Sequence, residues 1–317
     1  MLFYITKRIL MTALVLLLVV IFLSLLVHIV PGDPATTILG PRATPALIQK
    51  MREAMDLDKP IHVQIGKFLW NLLHGNLGVD AVTGVPINKL VGSALPHTLI
   101  LAVSSLSLAI VFGIPMGVYS ATHPNSLVDR ILAVLSISFT TIPSYVAGLF
   151  LLLIFAVELR LLPAMGIGKT EDLSDYVRHL ILPSVALAIT WIGYLSRLVR
   201  TSLLEVLNET YIRASRAAGL SERLVRYRYA LKNALIPTVA VLGVGLGSLM
   251  GGAVFVEIIF TRPGMGLLIY NAIQVRNYPL VRAGVLIVAV LFILANFIAD
   301  VVYTYLDPRI QLNKRQG

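Results

Sequence analysis

The chain has no cysteine. That excludes disulfides, thiol catalysis and cysteine-ligated metals. Charge is also scarce: 13% of the 317 residues are charged, where a soluble domain carries about 25%. No run alternates as a strand does. The six histidines, at positions 28, 62, 74, 97, 123 and 179, show no metal-ligand spacing. No nucleophile-and-base set can be read from the order of residues. Gly168-Lys169-Thr170 imitates the end of a phosphate loop, but Pro163 stands where its first glycine is needed. Gly243-x-Gly245-x-Gly247 imitates a dinucleotide fingerprint, yet it lies inside an apolar run with no preceding strand.

What the chain has is apolar length. Hydrophobic residues make up 57% of it. Six runs reach the roughly 20 helical residues that cross a hydrocarbon core. They lie near Ile9–Val30, His97–Ala121, Ile131–Val157, His179–Val199, Ala234–Phe260 and Val281–Tyr303. In lipid the backbone must satisfy itself, so these runs are expected to be helices of an all-α membrane protein. Lys7 and Arg8 precede the first run as in a signal peptide. The run is too long for one, and Pro31-Gly32-Asp33-Pro34 is a poor cleavage site, so it reads as a retained anchor.

The net charge of +10 fits loop bias in a membrane protein, and no nucleic-acid partner is expected. With both termini placed in the cytoplasm, cations divide fourteen inside against twelve outside. The loop from Pro31 to Pro96 exceeds the length at which charge governs translocation. Without it the division is fourteen to six, which favours that orientation. Within that loop, Pro45–Met55 and His62–Leu73 have helical spacing. Leu47, Ile48 and Met51, then Ile65, Phe68, Leu69 and Leu72, mark their apolar faces. Short helices over the outer mouth are expected.

One stretch breaks the apolar pattern: YIRASRAAGLSERLVRYRYALKNALIP, Tyr211 to Pro237. Asn208 or Thr210 is a candidate cap for a short helix ending near Ala218. Gly219 suits the left-handed position after it, and Ser221-Glu222 restarts a helix. Arg213 and Arg216 share a face, and Ala214, Ala217 and Ala218 keep it slim. Such a unit suits a groove on another protein. A loop lying on anionic headgroups is the other reading.

Here the sequence resembles a family, the ABC importer permeases of the dipeptide/oligopeptide/nickel branch. The likeness rests on Tyr211-Ile212-Arg213, Arg216-Ala217, Gly219-Leu220 and Ala230-Leu231-Lys232-Asn233-Ala234 to Pro237. It extends through Pro31-Gly32-Asp33-Pro34, Leu57-Asp58-Lys59-Pro60, Gly75-Asn76-Leu77-Gly78, Leu161-Leu162-Pro163, Ile181-Leu182-Pro183, Pro263-Gly264-Met265-Gly266 and Asp307-Pro308-Arg309. Arg213-Ala214-Ser215 stands where the general permease motif begins Glu-Ala-Ala, and Tyr229 where branch members usually have His.

The resemblance implies a six-span, type I importer-like permease in a prokaryotic inner membrane. The whole chain, 1–317, is then one transmembrane domain, with an extracytoplasmic helical loop at 31–96 and a cytoplasmic coupling segment at 201–233. The implied partners are a second, related permease subunit in a heterodimer, two ABC ATPase subunits, an extracytoplasmic binding protein, a di- or oligopeptide substrate and membrane lipid. No cofactor is expected in this chain, since ATP and Mg²⁺ would be held by the ATPases. Nickel, glutathione or another small solute is the alternative cargo. A secondary transporter or scaffold without ATPases is the alternative class, although neither inverted repeats nor charged midplane sites stand out. The expected coupling residues are Tyr211, Arg213, Ala214, Arg216, Ala217, Gly219 and Leu220. Gly243, Gly247 and Gly251 recur every four residues and are expected to let helices approach closely. Ser138, Thr141, Glu257, Asn296 and Asp300 are expected either to wet a path or to play structural polar roles.

Overall fold

The computed structural model describes residues 2–29 and 32–306. Pro31, residues 307–317 with the Asp307-Pro308-Arg309 block, and the side chains of Lys7, Arg8 and Asp300 lie outside the described residues. Among the described residues the only strand-like pairing is an isolated bridge between Val79 and Pro86. The helices run α1 Leu2–Ile29, α2 Pro34–Leu39, α3 Pro45–Ala54, α4 Ile61–Leu73, α5 Ile87–Thr122, α6 Leu127–Thr141 and α7 Ser144–Leu151. After a π-helical stretch, Leu152–Glu158, come α8 Leu173–Leu207, α9 Thr210–Ala217 and α10 Glu222–Leu224. A second π stretch, Val225–Ala230, leads to α11 Leu231–Ala234, α12 Ile236–Ile259, α13 Met265–Gln274 and α14 Tyr278–Leu306.

Among the described residues four helices are long and apolar enough to cross a membrane: α5, α8, α12 and, over Tyr278–Ala299, α14. In α1 the corresponding apolar stretch is Leu10–Leu25. The third expected span, Ile131–Val157, is not a straight helix. It is the pair α6 and α7, bent by 104° between Thr141 and Ser144. The cause is Pro143, which lacks an N–H and pushes the preceding residue out of the helical region. Ile142 is accordingly extended, with φ −79° and ψ 119°.

The chain forms two compact units. The first comprises Met1–Thr98 and Pro263–Ile293. The two short helices expected in the long loop are present as α3 and α4. Phe68 of α4 packs with Val20 of α1 and Leu286 of α14, with Ile65, Leu69 and Leu72 around it. That is the apolar face read from spacing. A second cluster joins Ile87, Val91 and Ala94 of α5 to Met265 and Ala272 of α13 and Leu280 and Ala283 of α14.

The second unit comprises Leu99–Arg262 and Leu294–Gly317. Helices α6, α7 and α12 all pack against α8. Ala109 of α5 meets Ala188, Ile192 and Leu195 of α8 in its core. The backbones approach closely because glycines face them. A Cβ on Gly113 would meet Ile192 O at 2.9 Å, and one on Gly117 would meet Ser196 O at 2.5 Å.

Candidate functional site

The basic segment is a helix, a forced turn and a second helix. Helix α8 ends at Leu207, and Asn208 caps that end, its Nδ2 donating to Leu204 O at 3.0 Å. Asn208 is therefore not available to start α9, and Thr210 is already inside it. Glu209 holds the N-cap position with no side-chain cap bond, contrary to the expected Asn208 or Thr210 cap. At the other end Gly219 N–H donates to Arg216 O and Leu220 N–H to Ser215 O, at 3.0 and 3.3 Å. This pair of bonds is the Schellman closure, and it requires the left-handed backbone that Gly219 adopts at φ +80°.

The segment has an anchored side and an open side. Ile212 is fully buried among Val199, Leu203, Val225, Ala230 and Ala234, which contributes roughly 2 kcal/mol. Tyr211 Oη accepts from Asn233 Nδ2 at 2.7 Å. On the open side Arg213, Ala214, Ala217, Ala218 and Gly219 are exposed, and Leu220 is half-buried. The two arginines expected to act alike differ. Arg216 Nε donates to Glu222 Oε1 at 2.7 Å, and Arg226 Nε to Glu222 Oε2 at 2.9 Å. Arg213 has no side-chain partner among the described residues. Glu222 thus braces the turn, and the bonds from Arg216 and then Arg226 hold its carboxyl below the usual range.

One further contact fixes the segment to a neighbouring helix. Arg226 Nη1 reaches Thr122 O, at the end of α5, at 3.3 Å. Close by in sequence, Arg200 of α8 grips Asp129 in the first turn of α6, Nε to Oδ1 and Nη2 to Oδ2, both at 2.9 Å. Ser120 Oγ donates to the same carboxylate, as does Asn125 N–H at 2.9 Å. Sequence reading missed this clamp. Its one local signal is Ser126-Leu127-Val128-Asp129, where Ser126 Oγ caps the Asp129 N–H at 3.1 Å.

The broken helix opens a groove of 370 Å³ lined by Thr140, Thr141, Pro143, Ser144, Thr190, Trp191 and Ser248 among others. Thr190 Oγ1 donates to Ile142 O at 3.2 Å. Thr141 lines this groove, but its hydroxyl is turned back to Ile137 O at 2.7 Å. Ser138 is exposed on α6 outside the groove lining. Glu257 is fully buried on α12, and Arg262 N–H donates to its carbonyl at 2.8 Å. Arg262 is itself fully buried, with Nη2 on Tyr176 Oη at 2.7 Å. Asn296 is half-buried on α14, and Asp300 follows on the same helix. Of the four whose side chains are described, Thr141 lines the groove, and Ser138, Glu257 and Asn296 are not part of its lining.

The glycine stripe on α12 divides similarly. Gly243 faces Ala299 so closely that any side chain would collide. Gly247 is buried, while Gly251 meets nothing within 4 Å. Gly245, outside the stripe, lies under the Trp191 ring. The Gly168-Lys169-Thr170 turn is held by acid rather than open to it: Lys169 N–H donates to Asp175 Oδ2 at 2.7 Å.

Two family descriptions match the chain. Residues 113–312 match the binding-protein-dependent transport system inner membrane component, and residues 1–102 match the N-terminal part of such membrane components. A probable peptide ABC transporter permease of Sinorhizobium fredii is 37% identical, over 97% of this chain and 99% of its own. The glutathione transport system permease GsiC of Salmonella paratyphi A is 36% identical, over 98% and 99%. The dipeptide transport system permease DppB of Alkalihalophilus pseudofirmus is 36% identical, over 98% and 100%. Among solved structures, the MetNI methionine ABC transporter in an inward-facing conformation superposes with a TM-score of 0.58 at 20% identity, over 69% of this chain and 97% of that one. An amino acid ABC transporter gives 0.52 at 13%, over 70% and 94%. With family matches at both ends and relatives similar along nearly all of its length, the chain belongs to the binding-protein-dependent transport system inner membrane components and is a permease subunit of an ABC importer.

Proposed function

We propose that this permease carries di- and oligopeptides, glutathione among them, and that α9 with the Gly219 turn is where partner ATPases push. The observation that carries the coupling role is the Schellman turn at Gly219. It presents a small, exposed face of Ala214, Ala217 and Ala218 beside Arg213, which has no side-chain partner among the described residues, on a segment rooted by Ile212. A slim helix fixed at its base and open on one side suits a groove on another protein. ATP and Mg²⁺ then sit on the ATPases, and this chain converts their motion without hydrolysis.

The peptide assignment rests on three relatives, named for peptide, glutathione and dipeptide transport, that match nearly the whole chain. The rest of the reading is a path shared with a second, related permease, six spans, both termini on the ATPase side, and delivery by an extracytoplasmic binding protein. The groove at the broken helix supports a path role. Irregular backbone at membrane depth is tolerated where it lines a wet cavity.

The test is reconstitution of the chain with its partner subunits in vesicles. Uptake of labelled dipeptide, tripeptide, glutathione and nickel is followed with and without ATP. ATP-dependent peptide uptake is expected. Nickel uptake with no peptide uptake overturns the cargo, and uptake without the ATPases overturns the coupling.

A further inference from the structure

Arg282 is a cation in an unfavourable place. It is the fifth residue of α14, close to the positive end of that helix. The Phe68 ring covers it, 4.2 Å from the guanidinium carbon to the centroid. Its Nε is buried with no hydrogen-bond partner. Among the described residues its guanidinium makes no ion pair. Asp56 is near enough to act on it electrostatically. However, that carboxylate is already held by Lys59 and Lys67, each at 2.7 Å. Arg282 is half-buried, and a cation partly withdrawn from water is unfavourable until its remaining donors find an anion.

The guanidinium opens on a pocket of 250 Å³ bounded by α4, the turn at 76–79 and the start of α14. Asp56, Gln64, Lys67, Phe68, Asn71 and Arg282 supply its chemistry. Two cations line it against one acid, and that acid is shared with a third cation, Lys59. Gln64 Nε2 is committed to Lys59 O at 2.9 Å. The Asn71 amide makes no side-chain bond among the described residues. A water occupies ~30 Å³ of liquid, so the space suits a small anion with its first waters, or the head of a larger ligand.

We propose that this pocket is an oxyanion site, in which a carboxylate or phosphate group is held by the fork of Arg282 with Asn71 and Lys67 as flanking donors. The fork matches either anion edge-on, and charge-assisted bonds of this kind are the strong ones. Phe68 fixes the plane of the fork, so the donors are set before the anion arrives. A soluble carboxylate and a lipid phosphate offer the same chemistry, and the experiment separates them.

The assembled transporter is purified in nonionic detergent and stripped of lipid. Its thermal unfolding is followed against sodium phosphate, sodium acetate and sodium chloride at matched ionic strength. Wild type should show a saturable rise with phosphate or acetate beyond that with chloride. Arg282→Gln should raise the half-saturating concentration by about tenfold or more, as loss of a charge-assisted bond implies. Arg282→Lys should fall between. Should Arg282→Gln fail to fold, Asn71→Leu, on the half-buried flank of α4, should suppress the response with the cation intact. Native mass spectrometry before stripping gives the source. Phosphatidylglycerol retained by wild type and lost from the variants assigns a lipid. Acetate response with no such retained lipid assigns a soluble carboxylate. Wild type and variants responding alike, or a wild-type response no larger than with chloride and no Arg282-dependent lipid, overturns the site.

Discussion

Arg200 and Asp129 meet edge to edge, Nε on Oδ1 and Nη2 on Oδ2, both at 2.9 Å, across 71 residues of sequence. The acid's side chain is 5% exposed and the arginine's 32%. This pair ties the start of α6 to α8, just ahead of the segment proposed to receive the ATPases. Removing one partner of this half-buried pair leaves the other uncompensated and costs about 1–2 kcal/mol. Asp129→Asn should therefore lower the unfolding midpoint of the purified transporter clearly. The double variant Asp129→Asn with Arg200→Gln should lose less than the sum of the singles, by about 1 kcal/mol. Strict additivity in the thermal melts would mean that the two residues act separately.

The turn at Gly219 separates backbone from space. A Cβ there would meet nothing within 4 Å, yet φ is +80°. Gly219→Val should therefore disrupt the Schellman closure, and Gly219→Asn, which tolerates this region, should be much milder. Pull-down of the ATPases and peptide-stimulated ATP hydrolysis read the effect. Equal loss from Val and Asn would point to crowding by the partner rather than to the turn.

Glu222 offers a pH test of the same turn. Its carboxyl titrates below the ordinary range because Arg216 and Arg226 hold its charged form. The bracing is present above the ordinary glutamate value and is lost as pH falls through the lowered one. Glu222→Gln should remove that acid-side dependence from ATPase association, and Arg216→Ala should weaken association by a similar, small amount. An unchanged acid profile in Glu222→Gln would assign the dependence elsewhere.

How much of this was legible depended on distance along the chain. Gly219 and the small face of α9 were readable because helix-end chemistry is local, while Ser221 takes the N-cap position of α10 without a side-chain cap bond. The apolar face of α4 was readable because 3.6-residue spacing reports burial. The clamp between Asp129 and Arg200 was not, since nothing in either neighbourhood names a partner 71 residues away. Gly113 and Gly117 are also four apart, as are Gly243 and Gly247, yet only the structure says that the first two face α8 and that Gly243 faces Ala299. Pro143 was visible in the third apolar run. Composition continues through it, so the run reads as one span where the chain bends.

That bend gives a distance prediction. Pro143→Ala restores the missing N–H and releases Ile142 from its extended bias, so α6 and α7 should tend toward one helix. The chain has no cysteine, so single labels can be placed at will. Ile131 and Phe150 are exposed, at 50% and 59%, on either side of the break. Electron-spin distance measurements between labels there should show a longer population in Pro143→Ala. Peptide uptake should fall with it if the groove serves the path. An unchanged distance distribution would show that packing on α8, not the proline, sets the bend.

Close approach gives the last prediction, because the glycines are not alike. Gly117 faces Ser196 O and Val199, and Gly243 faces Ala299, whereas Gly251 faces open space. A side chain at either crowded position must displace backbone, and overpacking of this kind costs about 1–3 kcal/mol. Gly117→Val and Gly243→Val should each lower the unfolding midpoint and the yield of assembled transporter. Gly251→Ala should leave both near wild type, and a better helix former there can raise stability slightly. Melting curves in one detergent, with the same subunits present, make the comparison. If Gly251→Ala proved as damaging as Gly243→Val, the whole stripe would serve contact, and the Gly251 face would be covered in the assembled transporter.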